Sequence, residues 1–158
     1  AHGVSVSSSG EVAIGGKDKK VHLYTLDGDA LTSKGEYELA ESVTCVAYSP
    51  DGAYLAAGDA KRQVYGWETA TGEMKFDRWK YHAARITSLA WTPDSQYLAS
   101  GSLDTNIYIW SVAKPMSKIK ILGAHPSGVV TAVQWATDNT LYSAGYDGCV
   151  RTWDITYA

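Results

Sequence analysis

Cysteine, proline and phenylalanine are scarce: of 158 residues only two are Cys, four Pro and one Phe. Cys45 and Cys149 form no C-x-x-C pair, so neither a disulfide framework nor a zinc site is indicated, and a reducing compartment such as the cytoplasm is expected. Charge of one sign is lacking too. Fourteen Lys and Arg stand against 17 Asp and Glu, a net charge of -3, which removes the global footprint of a nucleic-acid or anionic-membrane binder. No apolar run approaches the roughly 20 residues that a membrane helix needs. The start, Ala1-His2-Gly3, carries no initiator methionine and no signal-peptide pattern, so the chain is expected to begin inside a longer parent. With 45% hydrophobic and 11% aromatic residues, disorder is excluded and a packed core is expected.

What the chain has in plenty is one spacing. Tyr24, Trp67, Trp110 and Trp153 recur every 43 residues, and the same step joins Val12, Leu55, Leu98 and Leu141, then Pro50 and Pro93, then His82 and His125, then Gly15, Gly58 and Gly101. YLASGSLDTNIYIW at 97–110 aligns without gaps on YLAAGDAKRQVYGW at 54–67, so each copy is one structural unit. Inside a unit the pattern has period two, β-branched or aromatic, and is broken by Gly, Pro, Asp and Ser turns; no apolar stripe of helical period is present. In the third unit strands are predicted over 86–91, 97–102, 107–112 and 118–122, with turns at Pro93-Asp94-Ser95 and Leu103-Asp104-Thr105-Asn106. Four strands per unit make an all-β propeller blade, whose sheet cannot bury both faces alone and so stacks on its neighbours.

Units three and four resemble WD-repeat β-propellers in the pattern His82, Ser100, Asp104, Trp110 and again His125, Ser143, Asp147, Trp153. Unit two keeps the spacing but has Leu39, Ala57 and Lys61 in place of the polar set, and unit one has Ile14 and Tyr24 with only Asp18 kept, so their polar networks are expected to be lost. The segments VAIGGKDKKVHLY, VTCVAYSPDGAYLA, HAARITSLAW and VRTWDITY are further similar to the C-terminal part of the actin-interacting protein 1 family of two-propeller cytoskeletal proteins. On that resemblance the chain is about half of a seven-bladed propeller, with blades near 1–40, 41–82, 83–125 and 126–158 and the last outer strand missing. Left alone it would present two apolar blade faces and an unpaired edge, and is expected either to sit in its parent or to self-associate. The resemblance also implies a cytoplasmic, cytoskeletal protein that works with cofilin on actin filaments and promotes their disassembly. A generic WD-repeat scaffold, or a propeller-assembly fragment without its own activity, is the alternative.

Ser100, His82 and Asp104 are also the residue types of a hydrolase triad. The same set recurs in unit four beside a tryptophan at fixed spacing, and two half-copies of an active site in successive repeats make no catalytic sense. The resembled family uses them instead as a hydrogen-bonded chain from the Trp indole through Ser and His to Asp, so no catalytic residue, cofactor or metal ligand is assigned. Lys17, Lys19, Lys20, Lys61 and Arg62 fall in two successive turns, where they read either as a patch steering an acidic partner or as solvated turn residues replacing a lost aspartate. Tyr146, in the turn before Asp147, reads either as a partner contact or as an ordinary exposed turn residue. Gly15-Gly16-Lys17 lacks the spacing of a phosphate loop, and His2 and His22 read as packing or exposed residues.

Overall fold

The period-two segments form fifteen strands in a computed structural model that describes residues 1–157. They fall into four antiparallel sheets in chain order. The first holds β1 (Gly3–Val6), β2 (Glu11–Gly15), β3 (Lys20–Asp27) and β4 (Ala30–Glu38); the second holds β5 (Val43–Tyr48), β6 (Tyr54–Asp59), β7 (Val64–Glu68) and β8 (Met74–Trp79). The third holds β9 (Ile86–Trp91), β10 (Tyr97–Ser102), β11 (Ile107–Ser111) and β12 (Lys118–Ile121), and the fourth only β13 (Val130–Trp135), β14 (Thr140–Gly145) and β15 (Val150–Asp154). The strands predicted for unit three recur within one residue at each end. No helix is present among the described residues.

Alternation along each strand divides its side chains between two neighbours. In the third sheet Trp91, Leu98, Tyr108 and Trp110 face the second sheet's Ala56, Val64, Phe76 and Trp79, while Ala90, Ala99, Ile107 and Ile109 face the fourth sheet's Val133, Trp135 and Leu141. A third cluster joins Ala13 and Val21 to Val43, Val46, Leu55 and Trp67 between the first two sheets. The core is therefore three seams rather than one centre.

Each seam has a close approach at a glycine of the second strand. A Cβ at Gly15, Gly58 or Gly101 would lie 2.5, 2.6 and 2.6 Å from Val43, Ile86 and Val130, the opening residues of the next sheet. The equivalent fourth residue is Ala144, on the face with no described neighbour. Polar bridges repeat along the same seams: the Trp91 and Trp135 indoles donate to the Ala47 and Ala90 carbonyls at 3.0 and 3.1 Å. The turns join as well, with Asp51 N–H donating to Ser95 Oγ at 3.1 Å and Asp94 N–H to Asp138 Oδ1 at 2.9 Å.

The two outer faces differ from each other, contrary to the expectation that both are apolar. On the first sheet Val4 and Val6 are 65% and 60% exposed and share their face with Ile14 and Tyr24. On the fourth, Val150 and Tyr142 share theirs with Gln134 and Thr152, because the positions held by Ala90, Ala99 and Ile109 in sheet three have become Gln134, Tyr142 and Thr152.

Adding one methyl at Gly101 forces Val130 out of the seam, and the Gly101→Ala protein is expected to lose about 1–3 kcal/mol. Gly35, beside which a Cβ meets nothing within 4 Å, is the control: Gly35→Ala leaves the denaturant midpoint unchanged or raises it. Equal loss at both positions contradicts the seam.

Candidate functional site

Strands β10 and β11 place Ser100 and Trp110 on one sheet face, and the turn between them turns Asp104 back toward the chain entering β9, which carries His82. The indole N–H of Trp110 donates to Ser100 Oγ at 2.8 Å, Ser100 Oγ lies 2.8 Å from His82 Nε2, and His82 Nδ1 lies 2.9 Å from Asp104 Oδ2. A carboxylate only accepts, so Nδ1 carries the proton and Nε2 accepts from the serine hydroxyl. Asp104 also takes the Ala83 and Asn106 amides at 2.7 and 3.0 Å, which fixes the turn.

Sheet four repeats the chain. Trp153 Nε1 donates to Ser143 Oγ at 2.9 Å, His125 Nε2 lies 2.9 Å from that oxygen, and His125 Nδ1 lies 2.8 Å from Asp147 Oδ1. Here Arg151 occupies the position of Tyr108 and reaches Asp147 Oδ2 at 2.7 Å. Burial pushes the Asp147 carboxyl up, but hydrogen bonds from His125 and Arg151 outweigh it and hold the group at about 2. Asp104 is lowered by the same balance, burial opposed and overcome by His82 and the Ala83 amide.

The triad chemistry has no room here. Ser100 is 0% exposed, and its oxygen already accepts the indole proton while its hydroxyl faces His82, so no substrate carbonyl can reach it. What the arrangement does is satisfy four buried polar groups and tie a turn to the strand entry.

Unit two lacks the Trp–Ser–His–Asp network, as its sequence led one to expect, but keeps a turn carboxylate. Leu39 and Ala57 stand in the His and Ser positions and join the apolar cluster with Trp67, so the two partners of the His–Ser hydrogen bond are removed together. The turn carboxylate is supplied by Asp59, two residues before Lys61: its Oδ1 accepts the Lys61 and Gln63 amides at 2.9 and 2.8 Å, and Tyr65 donates to its Oδ2 at 3.3 Å. Asp59 is buried, and burial raises its carboxyl above the ordinary range. In unit one Asp18 turns outward to His22, 2.6 Å away.

The basic residues owe their places to the turns. Lys19, Arg62 and Thr105 share a left-handed backbone, φ 65, 78 and 71°, at the position where the fourth repeat has Gly148. Lys19 and Lys61 come together on Glu41, and Lys20 pairs with Glu36, so three of the five ammonium and guanidinium groups have carboxylates beside them; Lys17 and Arg62 are exposed. Tyr146 is 81% exposed, and its backbone N–H donates to Val129 O at 3.1 Å. It lies in the turn between β14 and β15, at the repeat position that Lys17 holds in unit one.

Compared with known proteins, the chain matches the family described as WD domain, G-beta repeat over residues 33–68, 76–111 and 116–154. It is 42% identical over 153 residues to the 66 kDa stress protein of Physarum polycephalum, covering 96% of this chain and 25% of that protein. Actin-interacting protein 1 of Drosophila melanogaster is 41% identical over 150 residues, 94% of this chain and again 25% of the relative. The chain thus spans about a quarter of the length of the curated relatives it matches. Among solved structures, that of U3-55K superposes with a TM-score of 0.87 at 24% identity, over 98% of this chain and 48% of that one, a likeness of fold.

Asp104→Ala strands His82 and two turn amides and is expected to cost about 1–3 kcal/mol in chemical denaturation. Asp59→Asn keeps an acceptor for its turn amides and removes a buried charge, so at pH 7 it costs less than Asp104→Asn. Acid acts oppositely on the two kinds of carboxylate. A lowered pKa contributes stability above the unfolded value that is lost as pH falls, so the contribution of Asp147 disappears between its ordinary 3.8 and about 2. The Asp147→Asn protein should show a flatter stability profile over that window; an unchanged slope contradicts the assignment.

Proposed function

Because the chain belongs to the WD domain, G-beta repeat family, we propose that it acts by binding and not by covalent chemistry, as part of a propeller in an actin-interacting protein 1 homologue. The observation that carries this reading is the 41% identity to the Drosophila protein of that name across 94% of the chain. On this reading the four sheets are consecutive blades of one propeller in a two-propeller parent. The chain superposes on 48% of a solved propeller and spans a quarter of its relatives, which supports that place for it.

The partner is then an actin filament, in a cytoplasmic and cytoskeletal setting. Cofilin is the co-acting protein and filament disassembly the outcome. The rigid sheets contribute by presenting turns and outer edges at fixed spacing, so that a filament form which fits them is favoured in proportion to its differential affinity. The buried Trp–Ser–His–Asp chains hold those turns in place and take no part in the contact.

Co-sedimentation with bare and with cofilin-decorated actin filaments tests the reading, with solution mass followed by light scattering in the same buffer. The expected result is pelleting that is stronger with decorated filaments and weakens with salt. A folded, assembled chain that pellets with neither overturns the actin reading for these blades.

A further inference from the structure

Position 48 breaks the repeat. At the equivalent places Trp91 and Trp135 use their indole protons on carbonyls of the preceding sheet, whereas Tyr48 is tied to sheet one by its backbone N–H, which donates to Ser5 Oγ at 2.9 Å. Its hydroxyl makes no hydrogen bond among the described residues, although Tyr48 is only 8% exposed. The side chain lines a cleft of about 320 Å³ between sheets one and two, and the ionisable groups that act on its hydroxyl, Glu11 and Tyr37, line the same cleft. A buried phenol aimed into open space without a partner is a binding group that the fold itself does not use.

Glu11 is out of pattern too. The next seam has Tyr54 and Trp91 at the positions of Glu11 and Tyr48, stacked with ring centres 6.0 Å apart, and Phe76 packs on Tyr54 at 5.7 Å. In the first seam a carboxylate and a phenol replace that aromatic pair. Gly35 keeps the space open, since a Cβ there would meet nothing within 4 Å, while Tyr37, stacked on Trp67 at 4.7 Å, gives a fixed wall. The field at the floor is negative: burial pushes the Tyr48 hydroxyl up, and the Glu11 carboxylate pushes it further the same way. Around it Glu11 pairs with Lys34, Glu36 with Lys20 and the nearby His22, and Glu68 and Glu73, which flank the turn 69–72, share Lys75, so carboxylates outnumber ammonium groups. Lys34 is 46% exposed and free to swing into water when another cation takes its place. A guanidinium carries donors only, and its planar fork addresses a carboxylate and a hydroxyl side by side.

We propose that the cleft between sheets one and two receives an arginine side chain of a partner protein, whose guanidinium donates to the Tyr48 hydroxyl oxygen and to the Glu11 carboxylate. The site stands independently of the actin reading: a chain that fails to pellet with filaments still carries it, and a chain that pellets without binding a guanidinium lacks it.

The test titrates the isotope-labelled chain with N-acetyl-arginine amide at millimolar concentration and follows the Gly35 and Gly72 amides and the Trp67 indole by NMR. Wild type should show saturable shifts at these signals that weaken with salt, and the citrulline amide, equal in shape but uncharged, should give none. Tyr48→Phe should weaken binding by about fivefold or more while leaving the denaturant midpoint unchanged, because the hydroxyl it removes has no partner in the protein. Glu11→Gln should weaken it by about tenfold. Gly35→Leu, which fills the cleft and alters no charge, should abolish it and keeps the test valid if a change at Tyr48 disturbs the seam. Shifts that never saturate, equal binding of the citrulline or lysine amide, or affinities indifferent to Tyr48→Phe and to Gly35→Leu overturn the proposal.

Discussion

Everything in this chain depends on the contact between the glycine of one sheet's second strand and the aliphatic residue that opens the next sheet. A four-stranded sheet with apolar side chains on both faces cannot stand alone in water, and here the inner faces are covered by neighbouring sheets. Gly15, Gly58 and Gly101 let the sheets approach until Val43, Ile86 and Val130 fill the space a side chain would have taken. That approach also brings the Trp91 and Trp135 indoles to carbonyls of the preceding sheet. Buried donors are thereby satisfied across the seam and not within a sheet, which locks the repeats in register.

The seams are general, whereas the polar chains are local and replaceable. Units three and four keep Trp, Ser, His and Asp; unit two exchanges two of them for Leu39 and Ala57 and recruits Asp59 for the turn. Removing both members of a buried pair is far cheaper than removing one, which is how a repeat can drop the network without losing the blade. The same logic separates this set from an active site: a serine that accepts an indole proton and faces a histidine inside a closed seam has become a spacer with hydrogen bonds.

Much of this was legible in the sequence because the repeat reports itself. The step of 43 residues from Tyr24 to Trp153 marked the repeats, and the gapless match of 97–110 to 54–67 with its period-two pattern located their strands and turns. Asp59 was not legible by alignment to Asp104, since the carboxylate acts from a position two residues earlier, where units three and four have Ser102 and Gly145. An aspartate two residues before a Lys-Arg turn was the available signal. The basic turns looked unopposed because Glu36 and Glu41 come from other strands and connections and meet the lysines only in the fold. The stacking of Tyr157 on Tyr97 was not legible either, since it joins two repeats and forms only in the fold.

The central claim is that the seams and the buried polar chains form one cooperative stack. Amide and indole exchange measured by NMR tests it most directly, because the Trp91 and Trp110 indole protons report a seam and a network in the same sheet. The account predicts that both are strongly protected and exchange together, with denaturant dependence matching global unfolding. Fast exchange of the Trp110 indole while the Trp91 indole stays protected would contradict it, since the polar chain would then open without the seam.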